Sequence, residues 1–425
     1  MRIEELYQLY VAHPVVQTDT RKLKNGDLFF ALKGDNFNGN HFAIQALEKG
    51  AAYAIVDEAP EVQNPKIIVV DNVLSTLQAL AKYHRQQFSI PFIAITGSNG
   101  KTTTKELVHA VLSSHFKTYT TEGNLNNHIG IPLTLLKVKP DAEMAVIEMG
   151  ANHQREIAGY CTYALPDYGL INNVGKAHLE GFGGIEGVKK GKGELFDFIR
   201  TAGGAIFINT DFDYLREMSI GINNRITYGT TNASTTGKLL KSEPFLAVDI
   251  TSEPSIGIIS TQLVGDYNLS NVLAAVCIGL HFKVPPIKIK TAIEEYKPSN
   301  SRSQLIEVGT NKIILDAYNA NPSSMKLAIE NFAKMQVDKK VLMLGGMAEM
   351  GEASLTEHQA IVDLILLHKW ENVVLVGGDF GKINHSYIYF HTSLEAREWY
   401  KNQSFKDSYL LIKGSRSMKM EEILS

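Results

Sequence analysis

Cysteine is nearly absent. Cys161 and Cys277 are the only two in 425 residues, too few for a disulfide framework and in keeping with a reducing compartment. Cys161 falls on a predicted helix and Cys277 inside the apolar run LAAVCIGL, so both read as packing thiols. Neither sign of charge dominates: 42 Lys and Arg against 45 Asp and Glu leave a formal net charge of -3, with no basic surface for nucleic acid and no polybasic membrane patch. No apolar run approaches the ~20 residues of a membrane span, and MRIEELYQLY carries acids where a signal peptide needs an apolar core. Internal repeats and low-complexity tracts are also missing. A cytoplasmic protein with no nucleic-acid partner and no membrane insertion is expected.

What is present is an ordinary globular composition, 44% hydrophobic and 20% charged, in a chain too long for one core. Strand and helix signals alternate in three blocks. Residues 1–85 read as a small α/β domain through GDLFFAL, HFAIQALEKGA, YAIVDE, KIIVVD and LSTLQALAKYHRQQ. Residues 86–297 carry PFIAIT, EMAVIEMG, DYGLINNV, GAIFINTD and the region LAVDI to IISTQLV, which implies a mostly parallel sheet with ligands at the strands' carboxyl ends. EEYKPSNSR has the composition of a linker. Residues 298–425 alternate cleanly from NKIILDAY to YLLIKG, as a three-layer, Rossmann-like α/β domain would.

The stretch ITGSNGKTTTKE joins the apolar run PFIAIT to a helix on which Leu107, Val108, Val111 and Leu112 recur at helical spacing. The turn therefore reads as a phosphate loop formed by Thr96, Gly97, Ser98, Asn99, Gly100, Lys101, Thr102 and Thr103. Its glycines permit positive φ and close backbone approach. Lys101 would reach the β- and γ-phosphates and Thr102 would place its hydroxyl on Mg²⁺. The standard spacing wants a further glycine where this chain has Ile95, so the loop is a shortened one. The bland alternative is a tight turn that happens to contain Gly-Lys-Thr.

Other polar residues cluster just after apolar runs. Glu148 closes AVIE with an acid, and a buried carboxylate there calls for a cation, a metal being the economical one; a lysine partner or solvent is the alternative. His178, in GKAHLEGFGG, is either a metal ligand or a loop histidine. Lys189, Lys190 and Lys192 form a charge run that composition alone makes a solvated helix face, although a lysine carbamylated by CO₂ would supply a carboxylate on a long arm to bridge two metal ions. Asn268 and Asn271 stand one turn apart at the start of an apolar helix, the first as a cap and the second as a donor and acceptor for a base edge. Asp316, Tyr318, Asn319 and Asn321 crowd the end of a strand before Pro322, as a site or as a capping loop. TDTRKLKNGDLFFALKGDNFNGNHF suits a sugar or phosphate, and equally a turn-rich surface.

Taken together, TGSNGKTTTKE, TEGNLNNHIGIPLTLL, EMGANHQREI, NNVGKAHLEGFGG, KGKGELF, GDYNLSNVLAA, DAYNANPSSM, LGGMAEMGE and KGSRSM closely resemble the motifs of the Mur ligase family, in order and through all three blocks. The resemblance implies a three-domain fold: an N-terminal UDP-substrate domain, a central P-loop ATPase domain and a C-terminal Rossmann-like domain. The pairing of EMGAN with YNANP resembles the member that joins D-alanyl-D-alanine to a UDP-N-acetylmuramoyl tripeptide in peptidoglycan synthesis. ATP is then cleaved to ADP and phosphate through an acyl phosphate.

By the same resemblance Lys101 meets the phosphates, Thr102 and Glu148 hold Mg²⁺, His178 holds a second Mg²⁺ and Lys192 is the carbamylated position. Asn271 would meet adenine, Arg302 and Asp316 the nucleotide from the other side, and Asn126, Asn127, Asn319 and Asn321 the substrates. Thr20, Arg21 and Lys33 correspond to the segment that holds UDP. Arg155 departs from the family, which often has glycine there, and Tyr267 stands where a histidine is frequent. A monomer is expected. The rivals are another amino-acid-adding Mur ligase, a folylpolyglutamate synthetase-like ligase, and a nucleotide-gated switch, which would need no second metal.

Overall fold

The computed structural model describes residues 1–60, 63–299 and 301–425. The chain divides into two compact units, one of Met1–Ala94, Phe116–Gly150 and Glu156–Gly169, the other of Ile95–His115, Ala151–Arg155 and Leu170–Ser425.

In the first unit a parallel sheet takes its strands in chain order, Val16–Gln17, Leu28–Phe30, Tyr53–Val56 and Ile67–Val69. Phe29, Ala31, Ala43, Ala46, Ala54 and Val56 form its core, the small residues letting the helix Ala43–Glu48 lie close. The helix Val73–Arg85 starts where the Asn72 side chain accepts the Ser75 N–H at 2.8 Å, and buries Val73, Leu77, Leu80, Ala81 and His84 at helical spacing. Buried Arg85 donates to the carbonyls of Ala164, Phe88 and Leu165 and to Asp167, and stacks 3.8 Å above the Phe92 ring. The parallel strands Thr118–Thr120 and Met144–Glu148 complete the unit. The helix Ile3–Ala12, absent from the reading above, carries Ile3, Leu6, Tyr7 and Tyr10 at helical spacing and buries Leu6 and Tyr10.

In the second unit the helices Lys101–Ser113 and Leu269–His281 pack closely, since a Cβ on Gly279 would sit 2.6 Å from Val111 Cγ1. Ala205–Asn209 pairs in parallel with Asn224–Gly229, which pairs in parallel with Thr235–Lys241. An antiparallel edge through Ala247–Ile250 and Gly257–Ser260 follows. Asn224–Gly229 and Thr235–Lys241 escape a reading by pattern because most of their residues are polar or exposed. Cys161 and Cys277 are both buried and neither forms a disulfide; burial pushes the Cys277 thiol up to about 12, so it stays an inert thiol.

The last 125 residues of this unit form a six-stranded sheet in the order Gln304–Val308, Asn311–Asp316, Tyr409–Lys413, Lys340–Gly345, Asn372–Val376, Ile388–Phe390, parallel except for the first pair. Strand alternation divides its core: Ile314, Leu342 and Leu344 face the helices Pro322–Lys334 and Ser354–Leu366, while Ile313, Leu315, Val341 and Met343 face the layer holding Ala396, Met420 and Ile423. This is the expected three-layer arrangement. Gln304–Val308 lies beyond the linker-like stretch, and its register, Val308 opposite Asn311, leaves a two-residue turn in which Gly309 takes φ +60°. Because the strands run parallel, Asp316 and Lys413 end at one edge of the sheet.

Two buried histidines must remain neutral for this packing. His84 Nε2–H donates to Val138 O at 2.8 Å while Nδ1 accepts from Tyr7 Oη at 3.1 Å. His358, fully buried, donates from Nδ1 to Ser354 O and accepts the Met347 N–H on Nε2 at 2.9 Å. Burial holds both imidazoles below the ordinary histidine range. The unfolded chain therefore takes up protons first, so their stabilisation is complete above pH ~6.5 and is lost as pH falls below it, by up to ~1.4 kcal/mol per pH unit for each histidine. Urea midpoints measured between pH 8 and 5.5 should fall with acidification, and H358Q should flatten the fall; an identical slope in that variant would exclude His358 as a source.

Candidate active site

The strand Phe92–Thr96 is buried along its length, and the chain then turns through residues 97–100 into the helix Lys101–Ser113. Gly97 has φ +145° and Gly100 φ +78°. A Cβ on Gly97 would lie 2.9 Å from Asn172 Cβ, and one on Gly100 would lie 2.8 Å from Asn271 Oδ1. Both positions need glycine for the backbone and for the space, and the result is a helix N-terminus presented as an anion site.

The loop is clamped from the side and braced from behind. Ser98 N–H donates to Asn173 O at 3.0 Å, Ser98 Oγ donates to Gly175 O, and Asn99 N–H donates to Asn173 Oδ1 at 2.9 Å. Behind it, Asn172 Nδ2 donates to Thr104 Oγ1 at 2.6 Å and Thr104 Oγ1 donates to Asn271 Oδ1 at 3.0 Å. Asn271 Nδ2 donates to Asn268 Oδ1, and Asn268 Nδ2 to Val264 O, both at 2.8 Å. Asn268 thus opens the helix Leu269–His281 without its side chain capping it, contrary to the reading of that residue as a cap. The Asn271 amide is taken up by this network, and contact with a base edge requires it to exchange a partner. Lys101 Nζ donates to Gly97 O at 2.6 Å and Ser98 O at 3.3 Å, so the ammonium folds over the loop. Thr102 is buried and Thr103 half-buried in the helix's first turn.

Glu148, in the first unit, is 1% exposed. Asn126 Nδ2 donates to its Oε1 at 2.8 Å, and its own N–H donates to Thr121 Oγ1. Asn127 Oδ1 accepts the N–H groups of Ile129 and Gly130 and so starts the helix Gly130–Leu135. Asn126 therefore orients the carboxylate, while Asn127 shapes the turn beside it.

In the second unit, the three lysines separate by burial. Lys190 is exposed and Lys189 pairs with Glu217 at 3.3 Å. Lys192 is 0% exposed on the helix Ile185–Ala202, donating to Ala151 O at 2.8 Å with its Nζ 4.9 Å above the Phe182 ring. Arg155 has φ +70°, a backbone conformation that favours glycine, and its N–H is held by Glu194 Oε1 at 2.5 Å. Tyr267 is hydrogen-bonded to Ser303 at 2.8 Å.

The C-terminal residues of this unit meet the loop directly. Asn321 caps the helix Pro322–Lys334 through Ser324, and its Nδ2 donates to Asn99 Oδ1 at 2.8 Å. Lys176 N–H donates to Ser323 Oγ at 3.0 Å and its Nζ pairs with Glu357 at 2.5 Å. Asp316 holds buried Lys413 at 2.5 Å and accepts the Ser303 N–H, while Asn319 O accepts from Lys413 and Asn319 Oδ1 from Ala320 N–H. The Arg302 guanidinium stacks 3.6 Å over Tyr318. His178 Nδ1 is bonded to Glu349. Lys413, Glu349, Lys176, Ser323 and Glu357 were not singled out by sequence. All but Glu357 lie in motifs quoted above, Lys413 in KGSRSM, Glu349 in LGGMAEMGE, Lys176 in NNVGKAHLEGFGG and Ser323 in DAYNANPSSM, and those motifs are the signal that points to them.

In the N-terminal region a depression of about 570 Å³ is lined by Lys33, Asn36, Phe37, Asn38, His41 and Phe42. Lys33 sits between Glu58 at 2.8 Å and Asp57 at 2.9 Å, which raise its pKa. Thr20 and Arg21 lie outside the depression, Thr20 O accepting from Lys49 and Arg21 pairing with Asp19 at 2.8 Å. Among the described residues, no three His, Cys, Asp or Glu side chains converge as a metal cage. The candidate donors are a hydroxyl, a carboxylate and an imidazole. The hydroxyl and the carboxylate suit Mg²⁺, which takes one or two protein carboxylates and completes its octahedron with phosphate oxygens and water, while the imidazole is a softer donor than Mg²⁺ usually takes.

Three family models match the chain in succession: Mur ligase family, catalytic domain, at residues 14–91; Mur ligase middle domain at 95–279; and Mur ligase, glutamate ligase domain, at 301–416. The UDP-N-acetylmuramoyl-tripeptide--D-alanyl-D-alanine ligases of Bacillus subtilis and Escherichia coli are 34% and 35% identical to it. They align over 98% and 99% of this chain and 93% and 95% of their own. Among solved structures, MurF from Acinetobacter baumannii matches with a TM-score of 0.88 at 29% identity, covering 98% of this chain and 97% of that one. MurF ligase from Thermotoga maritima in complex with ADP matches with a TM-score of 0.86 at 26% identity, covering 97% of each chain.

The phosphate loop's geometry makes a direct test available. G100A should lower affinity for ADP more than tenfold by isothermal titration, because it places a Cβ against Asn271 at positive φ. Unchanged affinity would show that nucleotide binds elsewhere.

Proposed function

The chain belongs to the Mur ligase family, and we propose that it is the ligase that joins D-alanyl-D-alanine to a UDP-N-acetylmuramoyl tripeptide at the expense of ATP, in peptidoglycan synthesis. The observation that carries the reaction class is the hydrogen bond from Asn321, at the start of a C-terminal helix, to Asn99 in the phosphate loop. It puts the YNANP motif beside the loop that would hold ATP. The choice of substrates follows the relatives that carry that activity in their names.

In this reading the tripeptide's terminal carboxylate attacks the γ-phosphorus, ADP leaves, and an acyl phosphate forms. The amine of D-alanyl-D-alanine then attacks the acyl carbon and inorganic phosphate leaves as the amide forms, with loss of the amine's proton. The loop backbone at residues 97–102 binds the phosphates, and Lys101 turns from its loop carbonyls toward the transferring group. Thr102, Glu148 and His178 are the groups that would hold Mg²⁺, which supplies charge neutralisation for phosphoryl transfer. Asn126 keeps the Glu148 carboxylate oriented. Asn271 serves the adenine side, Arg302 and Asp316 the nucleotide, and Asn127, Asn319 and Asn321 the substrate side. Thr20, Arg21 and Lys33 serve the UDP group, Lys33 from the depression it lines.

We assign the domains to residues 1–85, 86–297 and 298–425, acting as a monomer in the cytoplasm; among the described residues no helix is long and apolar enough to cross a membrane. Lys192 is proposed to carry a carbamate. It is the buried member of its cluster, and an anionic carbamate suits a site with Mg²⁺ better than an ammonium does.

Hydrolysis of ATP by the purified protein should require both the UDP-muramoyl tripeptide and D-alanyl-D-alanine. Equal stimulation by a single free amino acid would move the chain to an amino-acid-adding member of the family. K192A should lose most activity and regain part of it with added acetate; full activity, or rescue by a small amine alone, would rule out the carbamate.

A further inference from the structure

The loop after the strand Lys340–Gly345 is held on both sides of Glu349. Met347 N–H donates to His358 Nε2 at 2.9 Å, and Ala348 N–H donates to Ser415 Oγ at 2.8 Å. Ser415 Oγ in turn donates to Ala320 O at 3.1 Å, tying this loop to the YNANP turn. Glu349 then takes φ +61° and bonds twice to the segment around His178: its carboxylate to His178 Nδ1, and its carbonyl to the Glu180 N–H at 3.3 Å. His178 itself has φ +53°. Two non-glycine residues facing each other in left-handed backbone each cost about 1 kcal/mol or more, a conformation retained where surrounding contacts dictate it and often where a site uses it.

We propose that Glu349 is a positioning residue for His178. A carboxylate on Nδ1 fixes the proton there, leaves Nε2 with its lone pair for a cation, and raises the ring's basicity as a ligand. Because Glu349 is carried by the C-terminal sheet, the imidazole is set only while that sheet is docked on residues 173–180. The Asn321–Asn99, Ser323–Lys176 and Glu357–Lys176 contacts hold the same docking independently. Docking and the second Mg²⁺ site are thereby coupled through one hydrogen bond. The inference rests on the assignment of His178 as a ligand of that ion.

The test is a Mn²⁺ titration, read by electron paramagnetic resonance, of the full chain with a non-hydrolysable ATP analogue. The wild type should bind two ions. E349A should keep the first unchanged and bind the second ~10- to 100-fold more weakly. E349Q, whose amide oxygen still accepts the Nδ1–H, should weaken the second ion less than tenfold. Loss of the second ion in H178A with none in E349A overturns the positioning role alone. Retention of both ions in H178A overturns the ligand assignment and this inference with it. Equal weakening of both ions in E349A, or E349Q binding no better than E349A, marks the contact as a structural ion pair and also overturns it.

Discussion

Everything at this site depends on a backbone that must turn sharply enough to aim a helix N-terminus at an anion while leaving no room for side chains. Gly97 and Gly100 meet that constraint only because Asn172 and Asn271 press against them. Those asparagines are not filler. Together with Thr104 and Asn268 they form a buried chain of hydrogen bonds that runs to Val264 O, and the Asn172 Oδ1 oxygen is the one amide atom of the chain left unmatched.

Buried lysines occur in both halves of the second unit. Lys413 is buried but paired with Asp316, so its charge is compensated within the C-terminal sheet. Lys192 is equally buried and faces a carbonyl and an aromatic ring. Burying an ammonium is expensive, and at Lys413 the ion pair offsets that cost. The same logic separates Lys192 from Lys189 and Lys190, which remain at the surface, where a charge costs little.

The C-terminal sheet is docked by apolar and polar contacts together: Val264 belongs to its core, and Leu179 and Phe245 pack against it. Asn321, Ser323, Glu349 and Glu357 each reach one partner in residues 99–178.

The sequence by itself determined the phosphate loop, the helix after it and the alternating C-terminal domain, because those features are local: glycine placement, period-2 and period-3.6 patterns, and a proline at a helix start. It also determined the family, through motifs kept in order along the whole chain. The strands Asn224–Gly229 and Thr235–Lys241 were not legible, since their pairing is set by neighbours and their own residues are largely polar. Only the tertiary structure decided that Lys192 is the buried lysine, that the Asn268 side chain at the helix start makes no cap hydrogen bond, and that Asn271 braces the loop. It alone paired His178 with Glu349, 171 residues apart. Burial and long-range hydrogen bonding depend on what the fold packs against a residue, and no spacing along the chain records that.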